Sequence, residues 1–255
     1  MNPIKQDFKK SSVSFKNINK KSGSSCQTTS DKEKSGINVL FEDTNYVVFD
    51  KPSGLLVIPT EQERLKTLVN IVNQDSRFNA NAFNLHPCHR LDKETSGAII
   101  FSKGKRPQQL MMEEFKQGQV LKKYIAFVHG TLEAKKDVIR AKVKSFDKRK
   151  FNKSSKEKDA ITSYRTLEVR DAFTVVEVAP ITGRSNQIRI HFKQIGHPLV
   201  GDYKYSFRKD YTLKFKRTAL HAASLEFRNP ITKNRIKVKS KLPKDMEVFL
   251  ARNSS

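Results

Sequence analysis

His89-Arg90-Leu91-Asp92-Lys93-Glu94-Thr95-Ser96-Gly97 leads without a break into Ala98-Ile99-Ile100-Phe101. The apolar run reads as a strand, and the nine residues before it set one carboxylate, Asp92, between cations and small turn-forming residues. An Asp at such a junction ordinarily caps or turns the chain, because its oxygens accept backbone N–H bonds.

Working outward from this stretch, short apolar runs dominate. Val39-Leu40-Phe41 and Tyr46-Val47-Val48-Phe49 read as strands joined by the turn Glu42-Asp43-Thr44-Asn45. Lys51-Pro52-Ser53-Gly54 is a turn signature, and Leu55-Leu56-Val57-Ile58 after it reads as another strand. Leu65, Leu68, Val69 and Val72 have helical spacing, and Leu110 to Phe115 predicts a helix closed near Gly118. Beyond Leu121, strands are expected at 124–128, 138–143, 160–167, 173–178, 220–227 and 235–238. A helix is expected within 183–195, entered at Ser185, and another after Pro243. Strands interrupted by a few helices, without regular alternation, predict an α+β fold: a mainly antiparallel mixed sheet with flanking helices and loops.

The chain has 255 residues and a formal net charge of +24, from 50 Lys plus Arg against 26 Asp plus Glu. Such an excess attracts polyanions, and counterion release makes nucleic acid the favoured partner. No apolar run reaches the ~18–20 residues of a spanning helix, which leaves no membrane partner but a peripheral one. Cys26 and Cys88 are too few for a disulfide framework or a four-thiolate zinc site, consistent with a reducing compartment. His86-Pro87-Cys88-His89 is crowded on one segment with no partner cysteine pair, so no metal is expected there. Residues 1–36 hold eight Lys and no Arg against Asp7, Asp31 and Glu33, and read as a solvated, disordered basic arm. Residues 37–255 are expected to form the folded unit. Ser145 to Asp159, rich in Lys and Arg, reads either as a solvated hairpin tip or as an RNA-gripping loop.

Two further segments change the reading of Asp92: Lys122-Lys123-Tyr124 and Gly183-Arg184-Ser185-Asn186-Gln187-Ile188-Arg189. With His89-Arg90-Leu91-Asp92, in this order, they resemble the RluA-type family of RNA pseudouridine synthases. The resemblance runs over roughly residues 38–250 and extends to Gly196-His197-Pro198-Leu199-Val200-Gly201-Asp202 and Pro243-Lys244-Asp245-Met246. It implies a pseudouridine synthase type of fold with a central active-site cleft, and an enzyme that isomerises uridines in ribosomal or transfer RNA. The family usually has His where Asn186 stands, and many members carry an N-terminal S4-type domain; nothing before residue 37 is long or apolar enough to be one.

By this resemblance Asp92 is the nucleophile, acting at C6 of the base or at C1′ of the sugar, and Arg189 is the guanidinium that keeps it ionised. Taken alone, Arg189 reads rather as a surface cation on a phosphate. Tyr124 becomes the flat wall on which a flipped uracil stacks; its ordinary role would be a core tyrosine on a strand. Arg90 becomes the side chain that fills the vacated place in the RNA, or a plain phosphate contact. Leu220 closes the pocket, and His89, Arg184 and Gln187 join the RNA-binding set. No cofactor is implied, because uridine and pseudouridine are isomers. RNA is the expected partner, the protein a cytoplasmic monomer. A catalytically silent RNA-binding or assembly protein on the same fold accounts for the charge equally well, whereas a metal-dependent nuclease lacks a carboxylate cluster.

Overall fold

The computed structural model describes residues 36–79, 84–145, 156–206 and 213–253. The predicted basic arm, Gly36 aside, and positions 146–155 of the predicted basic loop lie outside the described residues. Strands β1 (Asn38–Glu42), β2 (Tyr46–Lys51), β3 (Leu85–Pro87), β4 (Ser96–Lys103), β5 (Leu121–His129) and β6 (Lys136–Ser145) are followed by β7 (Lys156–Val169), β8 (Phe173–Pro180), β9 (Leu220–Arg228) and β10 (Arg235–Lys239). Helices α1 (Leu68–Gln74), α2 (Ser76–Asn79), α3 (Lys105–Lys116), α4 (Gln187–Gln194) and α5 (Lys244–Arg252) flank them. The strands form one sheet in the order β1-β2-β4-β9-β5-β8-β7-β6, with β3 added to β4 and β10 to β9. All these pairings are antiparallel except β4–β9. The predicted α+β class with a mainly antiparallel mixed sheet is what the structure shows.

The parallel joint is short, only Ser96 opposite His221 and Gly97 opposite Ala222. Gly97 has φ 108°, and a Cβ there would meet the Ala222 carbonyl oxygen at 2.3 Å, so only glycine lets the two backbones approach. One residue further along β9 the pairing with β5 slips at Ala223, and β10 takes over the edge that β4 leaves. Side chains brace this joint. Arg217, buried, donates to both oxygens of Asp245 (2.6 and 3.0 Å) and to the carbonyls of Glu94, Thr218 and Leu220.

Apolar side chains cover the sheet. Leu68 and Val72 of α1 and Ile188 and Phe192 of α4 pack with Phe49, Phe101 and Tyr164 in one cluster. Met111 of α3 packs with Tyr46, Ile100 and Phe227 in a second, and Met246 and Phe249 of α5 with Phe127 and Phe173 in a third. Most predicted elements occur within a few residues of their expected ends. Leu55–Ile58 differs, because its carbonyls are used otherwise. Leu55 O accepts the Lys51 ammonium, while Leu56 O and Val57 O accept the first N–H groups of α1, leaving a single bridge in place of a strand. The helix that was to enter at Ser185 starts two residues later, at Gln187, with its cap Asn186 left-handed at φ 54°. No helix among the described residues is long and apolar enough to cross a membrane.

Candidate active site

The loop that carries Asp92 joins β3 to β4, and its backbone is pinned from one direction. Lys51 Nζ and Gly54 N donate to Lys93 O (3.0 and 2.9 Å), and Ser53 Oγ donates to Glu94 O at 2.8 Å. Lys51-Pro52-Ser53-Gly54, read from sequence as a turn, is therefore also the clamp on the residues after Asp92. The Lys51 side chain is 1% exposed, and its three N–H groups meet the carbonyls of Pro52, Leu55 and Lys93. Burial pushes this ammonium down to about 7, opposed by the Asp92 carboxylate and reinforced by the Arg217 charge.

Asp92 opens into a cleft of about 510 Å³ between the β3–β4 loop, the end of α3, β5, the β8–α4 loop and the start of β9. Arg90, Tyr124, Arg184, Gln187, Arg189, Leu220 and His89 all line the same cleft, so the structure brings together every residue singled out from sequence. Among the described lining residues Asp92 is the one carboxylate. The slip in register between β5 and β9 falls at Lys123/Tyr124, and Tyr124 emerges beside it, 9% exposed. Burial, and secondarily the Asp92 charge, hold its phenol above the ordinary range and so protonated.

Arg189 is where the geometry departs from expectation. Its Nε and Nη2 donate to the two oxygens of Asp202 at 2.6 and 2.7 Å, a bidentate pair with a fully buried carboxylate. Nη1 donates to Asn186 Oδ1 at 2.9 Å and lies 3.8 Å from Asp92 Oδ2, an ion pair with no hydrogen bond. The Tyr205 ring packs on the guanidinium at 4.9 Å. The primary partner of Arg189 is thus Asp202, which sequence reading placed in a matching segment without a role; only the fold brings position 202 back to α4.

The carboxyl of Asp92 feels opposing influences. Burial is the largest and raises its pKa; Arg189 and then Arg90 lower it; the Asp202 charge raises it, Lys51 lowers it, and the net shift is upward. Arg189 thus favours the ionised carboxylate, as expected of a neighbouring guanidinium, while burial opposes it more strongly.

Two other residues of the expected RNA-binding set are committed to contacts inside the protein. Gln187, placed in the RNA-binding set, spends its amide inside the protein. Its Oε1 accepts from Thr182 Oγ1 and Arg184 N, and its Nε2 donates to Ile161 O and Thr162 Oγ1. His89 accepts the Ile100 N–H at Nε2 (3.0 Å), packs on Phe115, and is held by burial down to about 3. Both anchor the cleft walls. Arg90 and Arg184 stand exposed at its rim, and Leu220 is buried in its wall. Cys88 is buried with its thiol pushed up to about 12, and no three His, Cys, Asp or Glu among the described residues converge as metal ligands.

Residues 45–194 match the family model described as RNA pseudouridylate synthase. The chain is 33% identical to the "uncharacterized RNA pseudouridine synthase YlyB" of Bacillus subtilis, over 84% of this chain and 72% of that one. It is also 33% identical to ribosomal large subunit pseudouridine synthase D of Buchnera aphidicola, with the same coverage. Among solved structures, human RNA pseudouridylate synthase domain containing 4 superposes with a TM-score of 0.68 at 27% identity, over 84% of this chain and 92% of that one. A family match across more than half the length, with relatives one-third identical over 84% of the chain, makes this chain a member of the RNA pseudouridine synthase family, of the RluA type.

Proposed function

We propose that the protein converts particular uridines of structured ribosomal or transfer RNA to pseudouridine in the cytoplasm, with Asp92 as nucleophile. One observation carries this reading: among the described residues the cleft has a single lining carboxylate, with a guanidinium 3.8 Å away and a buried aromatic in the same cleft. The reaction breaks the N1–C1′ bond and forms C5–C1′; C5 gives up a proton and N1 gains one, so no redox partner or energy donor is consumed. What the protein must supply is a nucleophile, a dry pocket for the detached base, and a way to hold the RNA open.

Asp92 attacks in its ionised form, favoured by Arg189 and Arg90 against the burial that opposes it. Tyr124 provides the stacking face, a contact worth ~1–3 kcal/mol per base. Leu220 closes the apolar side, and the exposed Arg90 reaches into the space the base vacates, offsetting an extrusion cost of a few kcal/mol. The ribosomal and transfer RNA substrates in the names of relatives support RNA as partner. The test is Asp92→Asn, assayed by tritium release from RNA labelled at C5 of uridine. Activity is expected to be lost while RNA binding survives. Full turnover in the variant would exclude Asp92 as nucleophile, and equal silence of the wild type on all cellular RNA would favour the binding-only alternative.

A further inference from the structure

Lys122 stands out among the cations of the cleft. Arg189 is committed to Asp202, Lys116 to Glu113 at 3.3 Å, and Arg184 Nε to the Asp159 carbonyl at 3.4 Å. Arg90 is exposed to water. Lys122 is half-buried on the cleft face of β5, two residues before Tyr124, and it has no carboxylate partner among the described residues. Its neighbour Lys123 is paired with Glu177 at 3.1 Å. The Lys122 ammonium lies 6.0 Å from the Phe115 ring centroid, and a Cβ on Gly183 would sit 3.8 Å from it. Burial lowers the pKa of this lysine, and no acid among the described residues opposes the shift. A desolvated cation without a counterion costs free energy that an anion arriving at the cleft would return.

We propose that Lys122 is a phosphate anchor, its ammonium taking a phosphodiester oxygen of the RNA strand beside the nucleotide that enters toward Asp92, through the opening that Gly183 leaves uncovered. This rests on the reading of the cleft as an RNA site and adds to it a specific subsite. Phosphate fits better than a uracil carbonyl for two reasons. The anion supplies the full charge that Lys122 lacks, and an ammonium is a compact point charge that binds phosphate without demanding planar geometry.

The experiment measures kcat and KM by tritium release across a potassium chloride series. The substrate is an unmodified transcript carrying the uridine mapped for the wild-type protein. Lys122→Gln is expected to raise KM about tenfold with kcat little changed. It should also flatten the slope of log(kcat/KM) against log[salt] by about 0.7, one single-strand phosphate contact. Lys122→Arg keeps both values, and Gly183→Val, which covers the ammonium without removing it, raises KM as Lys122→Gln does. Lys239→Gln, an exposed charge on β10 outside the cleft, moves neither. A fall in kcat with KM and salt slope intact would place Lys122 on the reacting base and overturn the proposal, as would wild-type values in Lys122→Gln. Asp92→Asn, run in parallel, separates the two readings, since turnover surviving there overturns the role of Asp92 whatever Lys122 shows.

Discussion

Asp92 and Asp202 divide one guanidinium unequally. Asp202 takes two short hydrogen bonds from Arg189, Asn186 takes a third, and Asp92 receives only charge at 3.8 Å. Asp92, the proposed nucleophile, is thereby left with unshared oxygens, at the cost of a raised pKa. If Asp92 acts ionised, as proposed, the rate is expected to fall as pH drops through its pKa, with burial placing that acid limb above the ordinary carboxylate value of 3.8. Replacing Asp202 by Asn removes a like charge and frees Arg189 to turn toward Asp92, and both effects lower the Asp92 pKa. Asp202→Asn is therefore expected to move the acid limb of kcat to lower pH while reducing kcat, as Arg189 loses its fixed orientation; a limb moved to higher pH would contradict this account. At this scale the sequence is legible where chemistry is local. Asp92, Tyr124 and Arg189 stand out through their neighbours, whereas the roles of Asp202, Lys51 and Gln187 arise from contacts to distant segments that no spacing encodes.

The parallel joint between β4 and β9 places Leu220 against the Asp92 loop, yet it has only two residue pairs to do so. Arg217 compensates by bonding Glu94 O on one side of the joint and Leu220 O on the other, while Asp245 of α5 holds its other edge. Gly97 is the steric key. Alanine there would drive a methyl group into the Ala222 carbonyl and would occupy a φ that L side chains rarely adopt. Gly97→Ala is expected to destabilise the fold by about 3 kcal/mol or more, read as a lowered midpoint in urea denaturation. A loss under about 1 kcal/mol would show that the joint yields easily. Elements with strong local patterns, such as β2, β5 and α4, are legible in the sequence within about three residues. Leu55–Ile58 is not, because its strand-like apolar run is claimed by Lys51 and the N-terminus of α1. The order of strands, which brings 222 beside 97, likewise depends on packing over more than a hundred residues.

At the scale of the whole molecule, +24 charges on 255 residues set how the protein meets RNA before any base is read. The cleft rim continues this field with Arg90, Lys116 and Arg184, while acidic side chains at the centre are reduced to Asp92 and the buried Asp202 behind it. Encounter and chemistry therefore depend on different groups and respond differently to salt. If about six to ten phosphates are neutralised, RNA affinity is expected to fall by about 10³–10⁵ between 50 and 200 mM salt, linearly on logarithmic axes. Asp92→Asn changes the net charge by only one unit and touches no phosphate in this account, so its binding isotherms should show nearly the wild-type slope although its turnover is gone. Filter binding of both proteins to one transcript across that salt range makes the comparison. A flat response would mean that shape or base contacts, and not the basic surface, supply the affinity. A variant slope well below the wild type would mean that Asp92 also organises the phosphate-binding rim, joining two functions that the structure otherwise keeps on separate residues.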